Sequence, residues 1–422
     1  MKSDKKYFPI NTGVACPLKW TWHTLRFYEG SSSSCHRVQP VPIDINNFSQ
    51  FHNTEHWLKQ RRQMLSGEFP QMGCQQYCGS IEAAGGTSDR LNHLKIPDIS
   101  PIELESDPSA VVVTPKILEV FLNNTCNLAC IYCDESNSSR IQTENKKFGH
   151  IPITITGYDF ATEKSQNFDQ LIDNFFLYLE ENYLKLKRLH ILGGEPFFLK
   201  EFDRVIEFIG QRKHPGLELN VVTNLTMDFN KLKSFIFSMK RLVSRRQISR
   251  LDITVSLDCL GKEQEYVRHG IDLKKVLKNF EFLVSEKWIT LNVNSTITSL
   301  TIKTMPELIE YLNNFRANRK ITHSFAHVDF KLWLHCKAFG AHYFDEDFRK
   351  ILKLMPDDLT QYQNEKEYML GLWKSLSQFE LDLKSLTQLS AYLDEIDRRR
   401  NTNWREVFPW LDKELTGINH VV

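Results

Sequence analysis

In the stretch NNTCNLACIYCDES, residues 123–136, cysteines stand at positions 126, 130 and 133, just after an apolar run. Cys126, Cys130 and Cys133 leave gaps of three and then two residues. A closed zinc or iron–sulfur site normally takes four protein ligands. Three thiolates leave one position for an outside ligand, and an open position is where chemistry happens. At this spacing they can wrap three corners of a cubic [4Fe–4S] cluster with the fourth iron open. The alternative is a zinc knuckle or three unrelated buried cysteines.

A second group lies upstream: Cys16 in CPLKW, Cys35 in SSSSCHR, and Cys74 and Cys78 in FPQMGCQQYC. Four cysteines can fully ligate another cluster or a zinc ion. The sequence around them is loop-rich with little core of its own, and metal binding would supply folding energy there.

The elements that must position these groups come next. Six β-rich runs alternate with helical stretches: ILEVFLNN (117–124), RLHILGGE (188–195), LELNVVTN (217–224), RLDITVSLD (250–258), TLNVNSTIT (290–298) and ITHSFAHV (321–328). Leu273, Val276, Leu277, Phe280 and Leu283 recur at helical spacing, as do Phe202, Val205, Ile206 and Ile209. Repeated strand–helix units imply an α/β fold with a parallel sheet, which right-handed crossovers would curl into a full or partial barrel. Reactive groups gather at the C-terminal ends of such strands, and the cysteine triplet follows the first one. In residues 1–110 one amphipathic helix (54–66) presents Trp57, Leu58 and Leu65, and the rest reads as loops. After 340 the chain reads as helical, with a stripe of Leu383, Leu386, Leu389, Leu393 and Ile396.

The 422 residues suggest more than one packed unit, and 41% apolar with 25% charged residues is an ordinary globular composition. Fifty-three basic against 52 acidic side chains, a net charge of +1, give no surplus for nucleic-acid binding. No apolar run of about 18 residues exists to span a membrane. The start, MKSDKKYFPINTG, lacks the apolar core of a secretory signal, so the nine cysteines read as reduced thiols or metal ligands in the cytoplasm.

The cysteine triplet resembles the CxxxCxxC signature of the radical S-adenosylmethionine (SAM) enzymes, and further likenesses follow it in order. GGEP (Gly193, Gly194, Glu195, Pro196) ends the second strand and resembles the motif that holds the amino group of SAM's methionine. Thr223 and Asn224 close the third strand, and Ser256 and Asp258 the fourth, where that family contacts ribose and carboxylate. The resemblance implies a partial (β/α)6 radical-SAM barrel. It implies a [4Fe–4S] cluster whose open iron is chelated by SAM, and reductive cleavage to a 5′-deoxyadenosyl radical that takes a hydrogen atom from substrate. An electron donor such as a flavodoxin or ferredoxin goes with it. Tyr132 would lie near the adenine, and Arg268 in EYVRHG at SAM's carboxylate or in a surface salt bridge.

The N-terminal pattern resembles the twitch domain of one radical SAM subgroup, which carries an auxiliary [4Fe–4S] cluster. CPLKW, the later cysteine, the helix WLKQRRQMLSGEFP, the cysteine pair, and Glu82, Gly85, Ser88 and Arg90 carry the likeness; LDEIDRRRNTNWREVFP (393–409) resembles the subgroup's tail. That subgroup often has adjacent cysteines where Cys35 precedes His36, and its pair is usually two residues apart, against three between Cys74 and Cys78. Zinc stays the alternative there.

The expected domains are an auxiliary-cluster domain (1–110), a radical SAM barrel (111–335) and a helical C-terminal region (336–422). The expected activity is radical SAM chemistry, on a peptide by analogy. The alternatives are an RNA- or small-molecule-modifying radical SAM enzyme, or a non-catalytic metal-binding scaffold with a zinc-bound N-terminal domain. Cys259, in SLDCLG, stands where similar proteins commonly carry glycine. Its S–H bond is weak enough to return a hydrogen atom to a substrate radical, although strand parity turns it from the face shared by Ser256 and Asp258 unless the strand has ended there. Its bland reading is a small buried residue in a turn. His36, His323, His327 and His335 lack ligand spacing, and KRLVSRRQISR (240–250) and DRRR (397–400) read as exposed helix faces.

Overall fold

The computed structural model describes residues 13–83, 85, 88–94, 112–157, 161–328 and 330–419. Its strands are β1 (Trp22–Arg26), β2 (Ser31–Ser33), β3 (Val41–Pro42), β4 (Ile117–Phe121), β5 (Ala129–Cys130), β6 (Arg188–Leu192), β7 (Glu218–Thr223), β8 (Arg250–Ser256), β9 (Arg268–His269), β10 (Thr290–Ile297) and β11 (Ile321–His327). The fold is mixed α/β, with parallel strands separated by helices and a helical region after residue 340.

The chain forms two compact units: Met1–Asn123 with Glu163–Asn220 and Leu242–Arg250, and Asn124–Thr162 with Val221–Arg241 and Leu251–Val422. This division interleaves along the chain and does not follow boundaries at 110 and 335.

In the first unit β1 pairs in parallel with β4, and β4 in parallel with β6, while β2 and β3 add an antiparallel edge to β1. The sequence predicts loops where β1 lies, because His23 and Thr24 are polar. Both are fully buried and partnered. The ring nitrogens Nδ1 of His23 and His52 lie 2.9 Å apart, and Thr24 Oγ1 donates to Glu119 Oε1 at 2.9 Å. The expected helix is Glu55–Leu65, but it buries Trp57, Gln60, Arg61 and Met64, with Leu58 and Leu65 only half-buried. The region has a small core after all: Trp20, Trp22, Trp57 and Met64 pack with Cys16, Cys35 and Cys74.

In the second unit β8, β10 and β11 pair in parallel, and β5 and β9 form a short antiparallel ribbon. Along β10 exposed or half-buried residues alternate with buried ones, as a strand with one face in a core requires. The helix Leu273–Ser285 starts where Asp272 accepts the Lys275 N–H at 3.0 Å, and it buries Leu273, Val276, Phe280 and Leu283 as the spacing predicts. Leu386, Leu389, Leu393 and Ile396 of the helix Leu383–Arg400 share one apolar core with Ile297, Ile309 and Trp333, whereas Leu383 stays exposed. The arginines of DRRR are not all solvated. Arg399 is buried and paired with Glu395, Asn145 and the Gly149 carbonyl, and the half-buried Arg400 encloses its side chain in a pair with Glu144. Among the described residues no helix is long and apolar enough to cross a membrane.

Candidate functional site

The cysteine loop is fixed from several directions within the second unit. At its entrance the Ser139 N–H donates to the Asn124 carbonyl at 2.7 Å, and Asn124 Nδ2 donates to the Glu135 carbonyl at 2.8 Å. Ser138 Oγ bonds the Leu128 carbonyl at 2.6 Å. Cys130 lies in β5, where its register partner on β9 is Arg268. From after β11, Lys331 Nζ donates to the carbonyls of Ile131 at 2.9 Å and Cys133 at 2.7 Å, and to Tyr392 Oη at 3.0 Å. Tyr392, from the helix Leu383–Arg400, donates in turn to the Ile131 carbonyl. A buried ammonium on two carbonyls of one short loop holds that loop's shape.

Strand-end residues face these thiols. Asn224, just past β7, places Nδ2 3.9 Å from Cys126 Sγ and donates to Asn127 Oδ1 at 3.0 Å. Thr223 Oγ1 accepts the Leu225 N–H at 2.8 Å, where Leu225 takes a left-handed φ of 59°. Asp258 is wholly buried and accepts from Arg268 Nε at 2.8 Å, Arg268 Nη2 at 3.0 Å, Tyr132 Oη at 2.6 Å and the Thr296 N–H at 2.8 Å. Arg268 is buried, so its surface-salt-bridge reading does not hold; its Nη1 lies 3.9 Å from Cys130 Sγ, and its guanidinium sits over the Tyr132 ring. Asp258 and Arg268 thus spend much of their bonding capacity on each other. Ser256 is half-buried in register with Asn294.

The electrostatics suit a cation-binding loop. Burial pushes the Cys130 thiol up, against the pull of the Arg268 guanidinium. Burial also pushes Cys133 far up, with the charges of Asp134, Cys130 and Cys126 adding to it and Lys331 opposing. Cys130 is buried and Cys126 and Cys133 are half-buried, and thiols crowded in this way resist ionising unless a metal shares the charge. Among the described residues no three His, Cys, Asp or Glu side chains stand at the spacing of single-ion ligands. A cubane asks for something wider, because its thiolates bind separate irons.

Cys259 faces elsewhere. It is fully buried, and its Sγ lies 3.6 Å from Gln264 Oε1, which also accepts the Cys259 N–H at 3.0 Å. It is a small buried residue just past the end of β8.

GGEP belongs to the first unit, at the end of β6. Gly193 and Gly194 have φ of +88° and +51°. A Cβ on Gly193 would meet the Asn123 carbonyl oxygen and Phe121 Cα, each at 2.9 Å, so glycine lets two backbones close up. Glu195 is buried and accepts the Phe197 N–H at 3.4 Å at the start of the turn Pro196–Phe198.

The four upstream cysteines also gather in the first unit. Cys16, Cys35 and Cys74 are buried, and Cys78 is half-buried. Cys74 and Cys78 share a π-helical turn, Gln71–Gly79, and Gly73 (φ +87°) lets that turn press on the backbone of Arg37 and Val38 beside Cys35. Burial raises all four thiols, Cys35 to about 12, and the charges of neighbouring cysteines add to the rise at Cys16, Cys35 and Cys78. Glu82, Ser88 and Arg90 form a latch: Arg90 Nε donates to Glu82 Oε1 at 3.0 Å and its Nη1 to the Ala15 carbonyl at 3.0 Å, while Ser88 Oγ also bonds Glu82. The latch ties the residue before Cys16 to the segment after Cys78. Lys19, 1% exposed, donates to Ser34 Oγ and Gln60 Oε1, both neutral, and touches Cys74. A buried ammonium without a carboxylate calls for an anion nearby, and metal-bound thiolates supply one. Lys19, Lys331, Tyr392 and Arg400 had no signal in the sequence. Only the position of Lys331 just beyond a strand's C-terminal end could have flagged it.

No family model matches the chain. A probable GTP 3′,8-cyclase of Methanocaldococcus jannaschii is 24% identical over 47% of this chain and 56% of its own length. GTP 3′,8-cyclases of Clostridium botulinum (21% identity) and Synechocystis (24%) match 43% and 46% of this chain, and 47% and 49% of their own lengths. The chain thus spans about half the length of the curated relatives it matches. Streptococcus suis SuiB bound to S-adenosylmethionine aligns over 80% of this chain and 68% of that one at 13% identity, with a TM-score of 0.37, too loose a likeness to carry an argument. The sequence relatives, taken with the cysteine loop and the strand-end residues around it, support placing the chain in the radical SAM superfamily.

Proposed function

We propose that the chain is a radical SAM enzyme whose catalytic cluster is held by Cys126, Cys130 and Cys133. The observation that carries this is the loop itself: three crowded thiols, with Asn224 just past β7 reaching Cys126 and Arg268 of β9 reaching Cys130. Bound there, a [4Fe–4S] cluster and SAM supply reductive cleavage to a 5′-deoxyadenosyl radical that removes a substrate hydrogen atom. The chain's own residues do the rest. Lys331 and Tyr392 keep the loop's carbonyls turned inward, and Asp258 with Tyr132 holds Arg268 so that Nη1 favours negative charge at Cys130. Asn224 donates toward Cys126. Cys259 is given no catalytic part.

Cys16, Cys35, Cys74 and Cys78 are assigned to an auxiliary [4Fe–4S] cluster, supported by their gathering and by Lys19 as counter-charge. A flavodoxin or ferredoxin would deliver the electron. The substrate class we propose is a peptide, on the likeness of the N-terminal cysteine pattern to enzymes that modify peptides. The relatives' names point to GTP instead, but they rest on about half of each protein.

The test is iron stoichiometry after anaerobic reconstitution with iron and sulfide. Two clusters give about eight irons per chain, and Ala at Cys126, Cys130 and Cys133 together leaves about four. A triple variant that still binds the wild-type amount overturns the assignment.

A further inference from the structure

Arg400 ends the helix Leu383–Arg400, in a run that reads as a solvated charge patch. Its side chain is only 4% exposed. Nε and Nη2 donate to the two oxygens of Glu144, at 2.9 and 3.3 Å. Nη1 is buried and has no partner among the described residues. A buried guanidinium nitrogen left without an acceptor is costly, by an amount of the same order as one lost charged hydrogen bond. Such an atom calls for an acceptor in the working protein.

The surroundings say what kind. Arg400 lines a cavity with Cys130, Cys133, Lys331 and Tyr392, so two thiols of the triplet share its walls. The position is well fixed, because the preceding Arg399 donates to Asn145 Oδ1 and to the Gly149 carbonyl, each at 2.9 Å. Asn401 then ends the helix in a left-handed conformation (φ 54°), and the negative end of the helix dipole supports a cation there.

We propose that Arg400 directs Nη1 at the sulfur-bearing group held by Cys130 and Cys133 and raises its reduction potential. The inference rests on the assignment of a cluster to the triplet. Hydrogen bonds to sulfur and positive charge nearby both favour the reduced, more negative cluster. The C-terminal helix is then part of the redox site, with Arg400 as a tuning residue that takes no part in bond making.

The experiment is a potentiometric titration of the reconstituted full chain with dithionite, following the electron paramagnetic resonance signal that changes when SAM is added. Arg400→Gln removes the donor and leaves Glu144 unpaired. The pair variant Arg400→Met with Glu144→Gln removes the donor and leaves no buried charge behind. Arg400→Gln is expected to lower the one-electron reduction equilibrium at least tenfold, 59 mV for a one-electron couple, and the pair variant to lower it by less, because losing the Glu144 charge offsets part of the effect. Arg400→Lys, which keeps the charge, should recover part of that shift. An unchanged potential in Arg400→Gln, with iron retained, overturns the proposal. So does loss of iron from both neutral variants while Arg400→Lys keeps it, since Arg400 would then be a strut. Persistence of the SAM-sensitive signal when Cys126, Cys130 and Cys133 are all Ala is a different failure, that of the cluster assignment.

Discussion

Replacing Gly193 by Ala should be among the most damaging single-methyl changes in the first unit. The added Cβ would lie 2.9 Å from the Asn123 carbonyl oxygen, 2.9 Å from Phe121 Cα and 3.1 Å from the Leu122 nitrogen. All three are backbone atoms of β4 and its exit, so no side chain can swing aside. The residue also has φ +88°, which costs an L-residue about 1–2 kcal/mol in the left-handed region. Overpacking against fixed atoms adds about 1–3 kcal/mol, so Gly193→Ala should lose roughly 2–5 kcal/mol. Gly85→Ala is the control, because Gly85 has φ +77° with nothing within 4 Å of its ideal Cβ and bears the conformational cost alone. Urea unfolding of the metal-free chain, followed by tryptophan fluorescence, compares the two midpoints. If Gly193→Ala is no worse than Gly85→Ala, the close approach of β6's exit to β4 does not exist, and the reasoning about GGEP goes with it.

Two further outcomes follow from buried lysines. Lys331→Met removes three hydrogen bonds of the ammonium and strands the Cys133 carbonyl, while Tyr392 still serves the Ile131 carbonyl; the stranded carbonyl alone costs about 1–3 kcal/mol. Reconstituted Lys331→Met should therefore lose iron from the catalytic loop faster under chelator than wild type, and equal retention would remove Lys331 from the site. Lys19→Met takes away the buried counter-charge beside Cys74, so metal at the upstream cysteines should yield to a chelator at least tenfold faster while the SAM-sensitive cluster persists. Unchanged release would mean that Lys19 answers to Ser34 and Gln60 alone.

The parts of the fold that were legible are those where chemistry and pattern coincide. The cysteine triplet, and Thr223, Asn224, Ser256 and Asp258, stand out because strand ends announce themselves through apolar runs that stop. Helix Leu273–Ser285 was legible because its buried positions keep one spacing and Asp272 caps it. Strand β1 was hidden because His23 and Thr24 are satisfied by His52 and Glu119, partners that no local pattern reveals. Arg399 and Arg400 were misread because a run of arginines looks solvated until Asn145, Gly149 and Glu144 fold against it. Lys331 and Tyr392 meet the cysteine loop across 198 and 261 residues, a distance over which periodicity carries no information. Strand β8 ends at Ser256, so parity does not reach Cys259, and its contact with Gln264 belongs to the segment after the strand.

The central claim is that Cys126, Cys130 and Cys133 hold the group that cleaves SAM. Its most direct measurement is 5′-deoxyadenosine, quantified by liquid chromatography after the reconstituted chain is incubated anaerobically with dithionite and SAM. Wild type should form it, and the variant with Cys16, Cys35, Cys74 and Cys78 replaced by Ala should still do so. The Cys126, Cys130 and Cys133 triple Ala variant should form none above the enzyme-free control. Equal 5′-deoxyadenosine from wild type and the triple variant, or none from wild type carrying its full iron, would contradict the account.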